Sequence, residues 1–245
     1  MRPVAARTLL GILTPSSNTV LEPVTAALLA GLPDVSAHFA RFRVTEIALD
    51  DAALGQFDDA PILAAAALLA DARVATIAWS GTSAGWLGLD RDRALCAAIA
   101  SATGRRATSS VLALAEIFRR RGVRRYGLVT PYLAAVQARI VENFAREGWN
   151  CAAERHLDDK GNFSFSEYGP DVLAAMIREV AAAKPEAITV FCTNLRGAPL
   201  VEALERELGL PIYDTVATAL WDSLRLAGVA PSRVAGWGSL FRELA

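Results

Sequence analysis

One cysteine of this 245-residue chain, Cys192, stands where a thiol could do chemistry. It ends an apolar run and opens a polar turn with Thr193 and Asn194. A helix N-terminus lowers the pKa of a thiol and favours the thiolate. The pattern therefore predicts that Cys192 is a nucleophile or an acid/base group, whereas Cys96 and Cys151 are expected to be structural.

Polar residues also follow other apolar runs, so several loops could build one pocket. Their hydroxyls, amides and backbone N–H groups suit carboxylate oxygens. Each residue taken singly is more often a helix cap, but recurrence in several loops favours a binding site. The candidates from residue type are Ser17, Asn18, Thr82, Ser83, Thr193 and Asn194.

Proton transfer at a carbon atom is the chemistry that fits Cys192 best, because the sequence does not support the alternatives. No His–Asp pair accompanies Cys192 in the sequence, which leaves triad hydrolysis unsupported. The chain has no GxGxxG motif and no P-loop, so we expect no cofactor. His38 and His156 stand alone and the three cysteines have no ligand spacing, so we also expect no metal.

An internal repeat places these loops relative to one another. The segment 11–15 returns in outline at 127–131, the segment 75–83 at 186–194, and the segment 104–111 at 209–216. Such a repeat predicts two similar lobes with one shared cleft. The two copies differ at one informative position, where Gly81 corresponds to Cys192.

Short apolar runs alternate with helical periodicity, which predicts an α/β fold of two pseudo-symmetric lobes, each a roughly four-stranded parallel sheet flanked by helices. The carboxyl ends of the strands then form the inter-lobe site. We assign residues 1–110 with 216–245 to one lobe and 111–215 to the other. Predicted strands lie near 8–13, 36–44, 74–79, 106–108, 126–130, 150–155, 187–192 and 212–213, and predicted helices near 19–29, 61–70, 91–103, 111–121, 132–147, 170–183, 198–208 and 216–226.

The net charge and the length of the apolar runs exclude some classes of binding partner. The net charge of −1 gives no field that would attract nucleic acid. No run reaches the roughly 18 apolar residues that span a membrane. We therefore expect a cytoplasmic protein with a small carboxylate or dicarboxylate substrate, and a homo-oligomer is left open. The polar loop 158–169 is a candidate rim or lid that carries two phenylalanines expected to be exposed, or else a plain surface loop.

Several motifs resemble those of the aspartate/glutamate racemase superfamily, specifically its maleate isomerase and arylmalonate decarboxylase branch. Pro-Ser-Ser-Asn-Thr at 15–19 resembles the first substrate loop of maleate isomerases, and Cys-Thr-Asn-Leu-Arg at 192–196 their second cysteine loop. Thr-Pro-Tyr at 130–132 carries the tyrosine that these families place against a carboxylate. The C-terminal segment 237–241 is also similar.

The resemblance implies a cofactor-independent site between the lobes. It adds Pro15, Gly81 and Tyr132 to the substrate-binding candidates. Racemases and isomerases of this type use two cysteines, whereas arylmalonate decarboxylases have Gly at the first position, as this chain does at Gly81. In them, an apolar wall destabilises the departing carboxylate and the remaining cysteine protonates the enediolate. The polar residues Ser17 and Asn18 resemble maleate isomerase instead.

Three functions are therefore expected, in this order. The first is decarboxylation of a malonate-type dicarboxylate with Cys192 as the single proton donor. The second is isomerisation of maleate, or racemisation of a small dicarboxylate or amino acid, with Cys192 acting alone. The third is a non-catalytic protein that binds a carboxylate.

Overall fold

A computed structural model describes residues 7–244, and these residues form two parallel β-sheets covered by helices. The first sheet has the strand order β2-β1-β3-β4 and the second the order β6-β5-β7-β8, so the predicted α/β architecture is confirmed. The strands are β1 (Thr8–Pro15), β2 (Val35–Phe42), β3 (Thr76–Trp79), β4 (Arg106–Ser109), β5 (Arg125–Thr130), β6 (Asn150–His156), β7 (Ala187–Val190) and β8 (Ile212–Asp214).

Helices connect the parallel strands and cover both sheets. Left-handed glycines, Gly104, Gly122 and Gly209, end three of these helices at positions where a side chain would be strained. The helices are α1 (Leu21–Leu28), α2 (Asp51–Gly55), α3 (Asp59–Asp71), α4 (Ala84–Leu87), α5 (Leu89–Thr103), α6 (Ser110–Arg121), α7 (Ala134–Arg146), α8 (Pro170–Ala181), α9 (Val201–Leu208), α10 (Thr215–Leu226) and α11 (Ser239–Glu243).

The strand order explains where polar loops gather. In each sheet the chain turns to opposite sides of the first strand, so a crevice opens at the carboxyl ends of β1 and β3, and of β5 and β7. All four residues of β3 and all four of β7 are buried, as expected for inner strands of a sheet covered on both faces. The loops after these strands carry the candidate site residues.

Helices α6 and α10, the counterparts in the repeat, pack against each other. Helix α10 also packs on β3 and β4, although it follows β8 in the chain. These contacts support the assignment of residues after 215 to the first lobe, which stays a prediction because α11 also contacts β8. Residues 1–6 and 245 of the predicted lobe lie outside the described residues.

The loop between β6 and α8, residues 157–169, crosses to the first lobe, and we name it the bridging loop. Glu46 and Gly161 form an antiparallel bridge, flanked by a hydrogen bond from the Ile47 N–H to the Lys160 carbonyl at 2.8 Å. Two exposed phenylalanines were expected in this loop, and the structure confirms one of them. Phe163 is exposed, but Phe165 is buried against the Tyr132 ring with centroids 5.6 Å apart.

Residues 51–71 are long and apolar enough, by length and composition, to cross a membrane. The structure divides this stretch into α2 and α3, and α3 packs on β1, β2 and α5. Helices α2 and α4 were not predicted from the sequence. Strand β7 ends at Val190, two residues earlier than predicted, so Cys192 lies in the loop after the strand.

Candidate active site

A small cavity lies between the loops after β1, β3, β5 and β7. Its free volume is about 20 Å³, close to the space that one water molecule needs. The structure therefore brings together loops from both copies of the repeat, as the sequence predicted. The lining residues are Pro15, Val44, Ile47, Phe57, Trp79, Gly81, Thr82, Ser83, Trp86, Tyr132, Asn162, Cys192 and Thr193.

Cys192 lies on the second-lobe side of this cavity with only 2% of its surface exposed. Burial, with a smaller contribution from the negative charge of Asp214, raises the pKa of the thiol to about 12. The Tyr132 hydroxyl and the Asn194 N–H, whose nitrogen lies 3.4 Å from Sγ, oppose this increase. Residues 193–196 form turns and bends, so Cys192 does not stand directly at a helix N-terminus as the sequence suggested, and desolvation outweighs the nearby donors.

Gly81 faces the cavity at the repeat position that corresponds to Cys192. A Cβ added there would overlap the six-membered ring of the Trp79 indole. The ring is held by Phe42, with centroids 5.0 Å apart, and by its Nε1–H, which donates to Ser83 Oγ at 3.4 Å. Trp79 therefore takes the space that any side chain at position 81 would need.

Thr82 and Tyr132 form a polar pair across the two lobes. Their hydroxyl oxygens are 2.6 Å apart, and both residues are buried in the cavity wall. Among residues 7–244, the backbone N–H groups of Thr82 and Ser83 have no protein acceptor. Two hydroxyls and two N–H groups without protein acceptors thus belong to neighbouring residues of the lining, and such donors suit a carboxylate.

The cavity lining does not include three predicted residues, Ser17, Asn18 and Asn194. The Asn18 amide donates to Thr193 Oγ1 at 3.2 Å, and its oxygen accepts the N–H groups that start α1. The Asn194 oxygen accepts the N–H groups of Thr19 and Val20, at 3.0 and 3.2 Å. Asn18 therefore caps α1, which is the role that the sequence left open, and the hydrogen bonds of both side chains connect the loops of the site.

Ser17 is one step removed from the cavity. It accepts a hydrogen bond of 2.8 Å from the amide of Asn162, a lining residue of the bridging loop. The Asn162 carbonyl in turn accepts from the Asn194 amide at 2.5 Å. Asn162 therefore joins both lobes at the cavity, and sequence reasoning did not single it out.

Apolar residues that sequence reasoning missed form the rest of the wall. Val44 and Ile47 come from the segment after β2, and Phe57 follows α2, where no motif marks them. Trp86 packs edge-on against Phe57 and Tyr132, at 5.7 and 5.3 Å between centroids. The Trp86 Nε1–H is buried without an acceptor among the described residues, so it is a further free donor in the wall.

No group of His, Cys, Asp or Glu side chains that could hold a metal occurs within residues 7–244. All three cysteines are free.

Comparison with known proteins gives consistent matches. The family model described as arylmalonate decarboxylase matches residues 12–241. Arylmalonate decarboxylase from Bordetella bronchiseptica is 29% identical over 172 residues, covering 69% of this chain and 72% of that protein. Maleate isomerase from Nocardia farcinica is 27% identical over 244 residues, covering 96% and 95%.

Solved structures agree with these matches. A Nocardia farcinica maleate isomerase variant with a covalently bound succinylcysteine intermediate has a TM-score of 0.89 at 25% identity, covering 97% of this chain and 99% of that one. A liganded variant of arylmalonate decarboxylase has a TM-score of 0.84 at 25% identity, covering 97% and 100%. The family match over almost the whole chain, together with a cysteine facing a glycine across one inter-lobe cavity, shows that this chain belongs to the arylmalonate decarboxylase family of enzymes.

Proposed function

We propose that the protein is a cofactor-independent decarboxylase of a malonate-type dicarboxylate, with Cys192 as its single proton donor. The observation that carries the proposal is the asymmetry of the cavity. A thiol lies on one side, and the Trp79 ring covers Gly81 on the other. Racemisation by two opposed acid/base groups needs a group on each face, and no side chain fits at position 81.

The thiol is in the state that a proton donor requires. With a pKa of about 12, Cys192 carries its proton at neutral pH. Addition of the sulfur to a double bond would instead require the thiolate, which burial disfavours. The same burial that weakens a nucleophile therefore preserves a proton donor.

The walls must move apart to admit a substrate, because the free volume of about 20 Å³ holds little more than one water molecule. The reaction then depends on the difference between the polar and the apolar wall. One carboxylate of the substrate binds the hydroxyls of Thr82 and Tyr132 and the free N–H groups beside them. The second carboxylate is left against apolar residues such as Val44 and Ile47, where a charge is poorly solvated and neutral CO2 is favoured. The bond from the α-carbon to this carboxylate breaks, and its electron pair forms an enediolate on the retained carboxylate.

Completion of the reaction needs one proton. The Cys192 S–H transfers its proton to the α-carbon of the enediolate, and the resulting thiolate regains a proton from solvent. Donors aimed at the developing enediolate lower its energy, and removing one such donor in comparable sites costs roughly 3–4 kcal/mol.

Maleate isomerisation is the second candidate, because the isomerase matches cover nearly the whole chain and include a TM-score of 0.89. It would proceed by addition of the Cys192 sulfur to the double bond, rotation, and elimination. The high pKa of the thiol argues against it.

One NMR experiment separates the candidates. The protein is incubated in deuterated water with a disubstituted malonate and, separately, with maleate. We expect CO2 and a product deuterated at the α-carbon from the malonate, and no fumarate from maleate. Cys192→Ala should abolish turnover, whereas the control Cys96→Ala, which changes a buried cysteine outside the cavity, should retain it. Fumarate formation without decarboxylation would establish the isomerase, and binding without turnover of either substrate would refute both.

A further inference from the structure

A buried carboxyl group, Asp214, lies beneath the loop that carries Cys192. Asp214 is the last residue of β8 and pairs with Val190, the last residue of β7. Its Oδ1 accepts the Val216 N–H at 2.9 Å at the start of α10. Its Oδ2 is buried and makes no hydrogen bond of normal geometry among the described residues, although the nearby N–H groups of Ala217 and Ala198 oppose the increase that burial causes in the pKa of the carboxyl.

The unpartnered oxygen points toward the cysteine loop. A Cβ added to Gly197 would come within 2.8 Å of Asp214 Oδ2, so the loop closes on the carboxyl at that glycine. The charge of this carboxyl reaches the thiol: burial is the main cause that raises the pKa of Cys192, and a negative charge on Asp214 adds to it.

The repeat shows that the carboxyl is not required for helix capping. The corresponding residue of the first lobe is Ser109, which ends β4 and accepts the Leu112 N–H at 3.1 Å at the start of α6. Ser and Asp cap helices about equally well. The cap beside the glycine loop is thus the neutral Ser109, with the buried Asp92 carboxyl of α5 next to it, whereas the cap beside the cysteine loop is itself ionisable.

Few other titratable groups face Asp214. Cys192 comes from the loop after β7, and Tyr132 lies beside it from the loop after β5. On α10 the next carboxyl is Asp222, which binds Thr108 and Arg225. Glu205 of α9 is held by the Ile212 N–H and by Ser239, and residues 198–200 contribute only apolar side chains.

We propose that Asp214 is a positioning residue that, when ionised, further disfavours the Cys192 thiolate and so favours proton donation over addition of the sulfur to a substrate. Two negative charges in one buried region repel each other, so the pair carries at most one at neutral pH. Burial raises the pKa of Asp214 to about 7, which places this change of charge in the neutral range. The inference rests on the proposed role of Cys192 as a proton donor.

Alkylation of Cys192 by iodoacetamide tests the inference without any turnover, because only the thiolate reacts. The rate is followed from pH 6 to pH 10 by mass spectrometry of the peptide containing Cys192, with the Cys151 peptide as internal reference. In Asp214→Asn and in Asp214→Ser, which copies Ser109, we expect alkylation at pH 8–9 to rise on the order of tenfold, equivalent to about one pH unit. Maleate should also form an adduct at Cys192 faster in these variants.

The wild-type protein gives a second readout that does not depend on a variant folding. The logarithm of its alkylation rate should flatten near pH 7, where Asp214 ionises, and then rise again. Asp92→Asn, which changes the other carboxyl whose pKa burial raises to about 7, should keep this shoulder. A rate profile without a shoulder, or rates in the Asp214 variants equal to the wild-type rates, would overturn the inference. A missing decarboxylase activity would leave these rates unaffected, so the two proposals fail separately.

Discussion

At the scale of single residues, the difference between Cys192 and Gly81 is built into the packing. Residue 81 is glycine because the Trp79 ring lies where its side chain would be, and the ring is fixed by Phe42 and Ser83. The side of the cavity opposite the thiol is therefore filled by an apolar ring. An acid/base group cannot be placed there without first moving that ring.

A double-mutant cycle tests this packing. Gly81→Ala should destabilise the protein by about 1–3 kcal/mol, since overpacking forces a buried ring to move. In a Trp79→Leu background the same substitution should be much less damaging, so the two effects should not add. Urea unfolding measures both. The control Gly31→Ala adds a Cβ with no neighbour within 4 Å and should change stability little. Additive effects would contradict the role assigned to Trp79.

Tyr132→Phe removes one hydroxyl from the polar pair while keeping the ring between Trp86 and Phe165. We expect the rate constant kcat for decarboxylation to fall about 10²–10³-fold, as for the loss of one oxyanion donor. The unfolding free energy should change by only about 1 kcal/mol. Tyr126→Phe removes a buried hydroxyl of β5 that has no hydrogen-bond partner within residues 7–244, so it is the matched control and should keep its activity. Equal activity in both variants would exclude Tyr132 from the reaction.

At the scale of secondary structure, the strands and helices that could be predicted are those whose apolar residues recur with a regular period. All eight strands and the helices longer than seven residues were predicted near their observed positions, because buried strands and amphipathic helices leave patterns. Helices α2 and α4, of five and four residues, are too short to show a period. Missing these two helices hid part of the site, because Phe57, which follows α2, and Trp86, which lies in α4, both line the cavity.

The loops that form the site could be predicted from the sequence, but the role of each side chain in them could not. Residue type could not show that Asn18 and Asn194 turn toward neighbouring loops rather than the cavity, because tertiary contacts decide that orientation. Asn162 reaches the cavity only through the bridge at Gly161. The protonation state of Cys192 depends on complete burial, which the sequence does not report.

The Asn194 amide is the main polar connection between these loops, and its loss should affect stability and activity together. Asn194→Ala removes the side-chain acceptor of the Thr19 N–H, one of the two acceptors of the Val20 N–H and the donor to the Asn162 carbonyl, which should cost about 1–3 kcal/mol in total. Urea unfolding and kcat are measured in parallel. Asn150→Ala, at an exposed position of β6, should change neither. An unchanged unfolding free energy in Asn194→Ala would show that the connection is dispensable.

At the scale of the whole molecule, buried carboxyls link stability to pH. Burial raises the pKa of Asp92 from 3.8 to about 7, so the folded protein holds this proton at pH values where the unfolded chain has lost it. Stability from this group is therefore fully present below about pH 4 and decreases as the pH rises to about 7. The loss reaches at most about 4 kcal/mol.

Asp92→Asn should remove this dependence. Between pH 4 and pH 7, the unfolding free energy of the wild type should fall relative to that of the variant by up to about 4 kcal/mol. Urea unfolding at several pH values measures the difference. Asp90→Asn, which changes an exposed carboxyl of the same helix, should follow the wild-type curve. Parallel curves for the wild type and Asp92→Asn would show that Asp92 is not protonated in the folded protein.

The two lobes repeat one fold, and the function proposed here lies in how they differ. One lobe supplies the thiol and the Asp214 carboxyl, and the other supplies the Trp79 ring and the Thr82 loop. A donor on a single face delivers its proton from one side only. The handedness of the product therefore reports on the arrangement of the whole cavity.

The most direct test is chiral analysis of the product formed from a disubstituted malonate by the wild-type protein in deuterated water. The proposal predicts one enantiomer that carries a single deuterium at the α-carbon. A racemic product, or release of CO2 at the wild-type rate by Cys192→Ala, would contradict the assignment of Cys192 as the one proton donor.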